Sequence, residues 1–173
     1  MESPEAMEKP HEIYATIDAD LFKQMLDWFR DHDRNVYKSA VGSLAQSRKL
    51  RPVFIQKKSL ADQYAWLLKT LKLRQSDNIG EHLLQAWLMA GNQELLAAFC
   101  DAMKIEHDGK GQVTGELPDE IDAALLDTAI DELLAKFDAK LLTLYLTVFN
   151  LQVPGGWAAL NAKLASDERL SFA

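Results

Sequence analysis

The sequence predicts an all-α protein, a single-domain array of about seven or eight helices packed as helix hairpins, either an irregular bundle or a short solenoid. Three observations predict it. Apolar residues recur at spacings of three and four through most of the chain. Proline, glycine and Asx or Ser residues interrupt that rhythm where helices have to begin and end. No useful length alternates apolar and polar residues at period two, the nearest approach being the short stretch 52–56.

Taken in order, residues 1–17 combine Glu, Pro, Met and Ser with little periodicity and read as a mobile N-terminal arm, so that one helical domain occupies 18–173. Asp18 stands where a cap is needed before Leu21, Phe22, Met25, Leu26 and Phe29, the inward stripe of a first helix that stops near His32. Val36, Tyr37, Ala40, Val41, Leu44 and Ala45 repeat the spacing in a second helix, which ends before Pro52 because the residue preceding a proline disfavours the α region. Residues 51–58 are left as a connector. Ser59 caps a third helix carrying Leu60, Tyr64, Leu67, Leu68 and Leu71. A fourth, over about 78–90, turns Ile79, Leu83, Ala86, Trp87 and Ala90 inward and places Gly91 at a left-handed C-terminal cap.

Asn92 then caps a fifth helix with Leu95, Leu96, Phe99, Cys100 and Met103 inward, which dissolves into the glycine-rich loop 107–115. Pro118, followed by Asp119, Glu120 and Asp122 at the positive end of the dipole, starts a sixth helix that continues through Ile121, Leu125, Ile130, Leu133 and Leu134. Asp138 caps a seventh, apolar nearly all round from Leu141 to Leu151 and therefore a buried centre for the C-terminal half. Val153, Pro154, Gly155 and Gly156 break it, and a last short helix carries Trp157, Leu160 and Leu164 before a fraying tail beyond Asp167. Leu83, Leu84, Trp87, Leu88 and Asn92 echo Leu141, Leu142, Tyr145, Leu146 and Asn150, a faint internal repeat compatible with duplicated helix pairs.

A chain of 173 residues with 48% hydrophobic and 26% charged content has an ordinary globular make-up. It is long enough to bury about two-thirds of its unfolded surface. The longest apolar run, 141–146 with Thr143 inside it, falls far short of the roughly 20 residues that span a bilayer. Residues 1–10 are acidic and lack the apolar core of a secretion signal, and the single cysteine, Cys100, can form no intramolecular disulfide. A cytoplasmic protein held together by packing is expected, with no membrane association.

The net charge of -7 conceals a segregation. Between positions 34 and 74 stand ten cations and one anion, Asp62, a balance of +9; the remainder has nine cations and 25 anions, or -16. Within the cationic stretch, Arg48, Lys49, Arg51, Lys57 and Lys58 crowd around the connector, with Tyr37, Phe54 and Tyr64 interleaved as stacking partners. These five cations are the candidates for an anion-binding surface. The plain alternative is a solvated face.

Catalytic signatures are missing from the sequence. It contains no G-x-S-x-G elbow, P-loop, dinucleotide fingerprint or H-E-x-x-H. The one Glu-x-x-His spacing, Glu8 to His11, lies in the arm beside Pro10 rather than on a core helix as a di-iron site requires. Cys100 between Phe99 and Met103 reads as a small hydrophobe. His82 beside Glu81 reads as a hydrogen-bonded surface group, and Asp31-His32-Asp33 as a polar helix end.

Residues 106–117 invite comparison with a calcium loop, since Gly111 and Val113 fall at the right distances from Glu106, but the comparison fails on ligands. Glu106, Lys110 and Leu117 occupy positions that need Asp, Asp or Asn, and a bidentate Glu. Gly155 and Gly156 could offer amides to an anion, but no cation stands near before Lys163, so they read as a turn. Asp119, Glu120, Asp122, Asp127, Asp131 and Glu132 read as a solvated face.

No catalytic residue, cofactor or metal is therefore expected. The reading is a non-catalytic protein-interaction or scaffold domain whose partner is another protein. A nucleic-acid or other polyanion-binding accessory protein using 34–74 is the alternative. A second alternative is an enzyme with a site assembled from distant residues, for which His82, Asp31 or Glu81 would have to line a pocket.

Overall fold

The computed structural model describes residues 9–153 and 156–172. Among them the fold is all-α: ten α-helices and a 3-10 turn, no strand, and one isolated antiparallel bridge between His107 and Val113. The chain divides into two compact units, an N-terminal one over Lys9–Trp87 and a C-terminal one comprising the described residues from Leu88 onward.

The N-terminal unit begins earlier than the sequence suggests. Helix α1 spans Pro10–Thr16, and buries Pro10, Ile13 and Tyr14. Residues 9–17 are thus folded chain and not part of an arm, while 1–8, with Glu8 of the Glu8 to His11 spacing, lie outside the described residues. Seven residues cannot sustain a helix by propensity alone, so tertiary anchors have to hold it. Two do. The Tyr14 hydroxyl donates to the Gly80 carbonyl at 2.7 Å, and both the His11 amide and its Nδ1 lie 2.9 Å from Asp77 Oδ1. Gly80 is required for the first anchor, because a Cβ there would stand 2.8 Å from Tyr14 Cε2.

Helix α2 (Ala19–His32) is capped by Asp18, which accepts from the Leu21 amide at 3.1 Å, and buries the expected five residues. Asp33 both closes α2 and caps α3 (Arg34–Ser47). Lys49 then takes a left-handed conformation, and the Leu50 amide reaches back to the Ala45 carbonyl at 2.9 Å, a Schellman closure made without glycine. The expected connector contains a helix, α4 (Pro52–Gln56), started by Pro52 at its first turn and held by the buried Ile55. Ser59 caps α5 (Leu60–Leu71) as its spacing implies, the Asp62 amide donating to Oγ at 3.2 Å. After the 3-10 turn Arg74–Ser76 comes α6 (Asp77–Gly91). Gly91 is its last helical residue and has no positive φ, so the left-handed cap expected there is not formed.

In the C-terminal unit, α7 (Gln93–Ala102) follows Asn92 at the N-cap position. The glycine-rich loop is ordered by local bonds. Asp108 Oδ1 accepts from the Lys110 and Gln112 amides, and the Thr114 amide donates to the Glu106 carbonyl. His107 Nδ1 accepts from the Gly109 and Gly111 amides, which puts the ring proton on Nε2, facing Asp101 at 2.7 Å. Gly111 is the point of docking on α7. Its φ is +87°, and a Cβ there would stand 2.1 Å from Leu96 Cβ and 2.5 Å from the Leu96 carbonyl carbon.

Helix α8 (Ala123–Leu134) starts five residues later than Pro118, with Asp122 as its cap. Residues 118–120 are committed elsewhere. Trp157 Nε1 donates to the Pro118 carbonyl at 2.9 Å, and Glu120 accepts from the Ala158 and Ala159 amides that open α10 (Ala158–Ser166). Helix α9 (Ala139–Gln152), capped by Asp138, is buried through 142–150. Phe99, Tyr145, Phe149 and Trp157 form a chain of ring contacts with centroids 5.1–5.3 Å apart along it. Asn150 closes the following turn by accepting from the Trp157 amide at 3.0 Å and bonding Asn161; Pro154 and Gly155 of that turn lie outside the described residues.

The tail does not fray at once. Leu170 is buried, and Arg169 donates to Asp167 through its amide and its guanidinium. Those bonds, with Lys163 alongside, hold the Asp167 carboxyl well below the usual carboxylate range.

Two outcomes follow. Gly111→Ala should cost roughly 2–5 kcal/mol in chemical denaturation, the sum of a left-handed alanine and an overpacked backbone contact; a loss no larger than an exposed-loop substitution gives would mean the loop is not docked on α7. Asp167→Asn should lower the melting temperature at neutral pH. Because the folded carboxyl is shifted down, its contribution is complete above the unfolded value of about 4 and fades as pH falls below it. The gap between wild type and variant should therefore close in acid, and a gap independent of pH would contradict this role.

Candidate functional site

The N-terminal unit holds 13 cations and nine anions among Lys9–Trp87, a balance of +4. Its cations are poorly neutralised. Among the described residues none of the ten cations at 34–74 lies within 4.0 Å of a carboxylate. The acidic helix α8 contributes Asp127 and Asp131 to ion pairs with Lys163 and Arg169, at 2.8 and 2.9 Å. Two of the acids read as a solvated face thus bind cations of their own unit.

The same stretch exposes apolar surface. Leu50, Val53, Phe54 and Leu60 are 40, 41, 58 and 37% accessible, four of the five large hydrophobic side chains exposed among the described residues. The reason lies in α4. A five-residue helix has room for one inward position, taken by Ile55, so Val53 and Phe54 are left outside. Arg48, Lys49, Arg51, Lys57 and Lys58, the candidates drawn from the sequence, are all exposed around them on the flanks of α4.

Of the interleaved aromatics only Phe54 is available for stacking. Tyr37 and Tyr64 are buried, with rings in edge contact at 6.3 Å. Their hydroxyls donate to Gln63 Oε1 and Asp27 Oδ1, each at 2.7 Å. Burial and the Asp27 bond push the Tyr64 hydroxyl well above its ordinary value, while Lys23 and Tyr64 draw the Asp27 carboxyl down.

A groove of about 210 Å3 opens beside α3, α4 and α5. The buried Tyr37 and Val41 form its floor, Leu60 and the Gln56 and Gln63 side chains its wall, and Arg30, Arg34 and Lys38 bring cations to it. None of the five sequence candidates lines it. Arg30 fell outside the cationic stretch, and Gln63 carries no charge, so charge counting along the chain missed both. Helical spacing places Arg34 and Lys38 one turn apart on α3, but what brings Arg30 of α2 and Gln63 of α5 beside them is the turn of the chain about Asp33 and the packing of α5 on α3. Gln63 braces the groove, its Nε2 donating to the Gln56 and Lys58 carbonyls at the end of α4 at 3.3 and 3.0 Å. The volume lies below the roughly 300–1,000 Å3 of a typical cofactor or drug-sized pocket and suits a single side chain.

The remaining chemical candidates are dispersed. His82, Glu81 and Asp31 are exposed and line neither this groove nor the other described depression, at the α6 to α7 turn. His32 stacks on Trp28 with centroids 5.3 Å apart. Cys100 is buried, and burial pushes its thiol up to about 11, far from the range in which a thiolate nucleophile forms. Among the described residues no three His, Cys, Asp or Glu side chains gather as for a metal ion, and no helix is long and apolar enough to cross a membrane. Compared with known protein families, curated proteins and solved structures, the chain matches none.

Gln63→Ala should cost about 1–2 kcal/mol, since it leaves the Tyr37 hydroxyl and two carbonyls at the end of α4 to find other partners. Amide hydrogen exchange should quicken selectively over α4 and the start of α5. Unchanged exchange there would show that Gln63 does not brace the groove.

Proposed function

We propose that this chain is a non-catalytic protein-interaction domain that meets its partner through α3, α4 and α5 of the N-terminal unit. The observation that carries the reading is the concentration of exposed apolar side chains between positions 50 and 60. Apolar atoms scattered singly over a surface need no explanation, whereas a cluster rimmed by polar residues marks an interaction site. Phe54 has the size and rigidity of an interface anchor, and the adjoining groove offers a pocket for a partner's side chain.

A polyanion-binding role has one observation in its favour, the lack of ion pairs for the cations at 34–74 among the described residues. It predicts a log-log salt slope near -4 or -5 for about five phosphate contacts on duplex DNA. Burial of Tyr37 and Tyr64 removes two of the three aromatic platforms that reading needs. An enzymatic role loses support from the exposure and dispersal of His82, Glu81 and Asp31.

The test is selection of displayed random peptides on the full chain and on its Val53→Asp, Phe54→Asp double variant. Both positions are exposed, so the variant should keep its melting temperature within a few degrees. Peptides enriched on the wild type should bind the variant about tenfold more weakly or worse, as loss of an interface anchor implies. Failure of any peptide to enrich, or equal binding to both proteins, contradicts an interaction surface at α4.

A further inference from the structure

Resting on that reading, we infer that the groove beside α3 receives an acidic segment of a partner protein, one apolar side chain seated over Tyr37 and Val41 and flanking carboxylates paired with Arg30, Arg34 and Lys38. Three features point to this occupant. The first is a charge arrangement unfavourable to the isolated chain. Arg34 is the first residue of α3 and Lys38 the fifth, so both stand toward the positive end of the helix dipole, where carboxylates are favoured and cations disfavoured. They are also one helical turn apart, a spacing at which like charges repel. Arg30 adds a third cation to the same groove.

Second, among the described residues these charges meet no carboxylate at contact distance, although Arg30 lies in the field of Asp27 and Arg34 donates to the Arg30 carbonyl at 3.4 Å. Asp27, whose carboxyl feels Arg30, is already engaged by Lys23 at 2.6 Å and by the Tyr64 hydroxyl. Positions that break a local stability rule without compensation inside the fold are where function is expected.

Third, the groove is apolar beneath its cations. A phosphate backbone offers nothing to a floor made by Tyr37 and Val41, and a lipid surface is too broad to use a recess of about 210 Å3. A peptide that alternates acidic residues with one Phe or Leu satisfies both the floor and the charges. The short helix α4 next to it, with Phe54 outward, extends the contact.

The test uses fluorescein-labelled peptides of roughly a dozen residues with a central Phe between Asp and Glu, alongside a version carrying Asn and Gln instead. The acidic peptide should bind the full chain at least about tenfold more tightly than the amide version, and raising salt from about 50 to about 200 mM should weaken it several-fold. Arg34→Glu with Lys38→Glu should reduce binding about tenfold or more while leaving the melting temperature no lower than a few degrees below wild type, because both side chains are exposed and the change suits the helix dipole.

Equal binding of the acidic and amide peptides, or acidic binding indifferent to the double variant, overturns the inference but leaves an interaction surface at α4 if Val53→Asp, Phe54→Asp still abolishes it. Binding of single-stranded DNA or phosphatidylserine vesicles that depends on Arg34 and Lys38, with no binding of the acidic peptide, overturns it in favour of a polyanion. Failure of every peptide, in the selection as well as here, removes both readings.

Discussion

Among the described residues no helix is long enough to persist alone. The ten among the described residues run from five to 15 residues, at or below the length at which an isolated helix is marginal in water. Each therefore has to cover its apolar stripe with its neighbours, and the architecture is the record of how that requirement is met. In the C-terminal unit it is met almost completely: α9 is buried through 142–150, and Phe99, Tyr145, Phe149 and Trp157 interlock edge to face or tilted. In the N-terminal unit it is met least around α4, where five residues cannot both reach the core and hide Val53 and Phe54, and where Leu50 and Leu60 on either side are exposed as well. The candidate site lies where the packing requirement is left unmet.

Electrostatics divides along the same line. In the C-terminal unit several of the acids read as a solvated face have specific tasks, and Asp167 joins them. Glu120 caps α10, and Asp127, Asp131 and Asp167 secure Lys163 and Arg169. In the N-terminal unit Arg30, Arg34 and Lys38 converge on an apolar recess and find no such partner among the described residues. A basic patch over a hydrophobic floor, held in place by Gln63 and the buried tyrosines, is complementary to an acidic chain with an apolar anchor.

Much of the fold was legible from residue order because helix stripes and caps are local. Asp18, Ser59 and Asp138, the caps expected from the sequence, each accept a hydrogen bond from the backbone amide three positions on. What periodicity could not supply was anything fixed at long range. Helix α1 exists because Gly80 and Asp77, 66 residues away, hold Tyr14 and His11. The start of α8 moved from Pro118 to Ala123 because Trp157 and the amides opening α10 claim Pro118 and Glu120. The burial of Ile55 and the bonds from Gln63 hold as α4 what looks in sequence like a connector.

The site was legible in part for the same reason. Counting charges along the chain located Arg48, Lys49, Arg51, Lys57 and Lys58 but could not see that Arg30, Arg34 and Lys38 share a recess, since that requires knowing how α2 and α3 turn about Asp33. Nor could it tell that Tyr37 and Tyr64 face inward. The most direct check on the account is a chemical-shift map of the isotope-labelled full chain titrated with an acidic, phenylalanine-centred peptide. The account predicts the largest amide shifts around Arg30, Arg34, Lys38, Val41 and Leu60. Shifts confined to the depression near Asn92 and Leu141, or spread evenly over the chain, would contradict it.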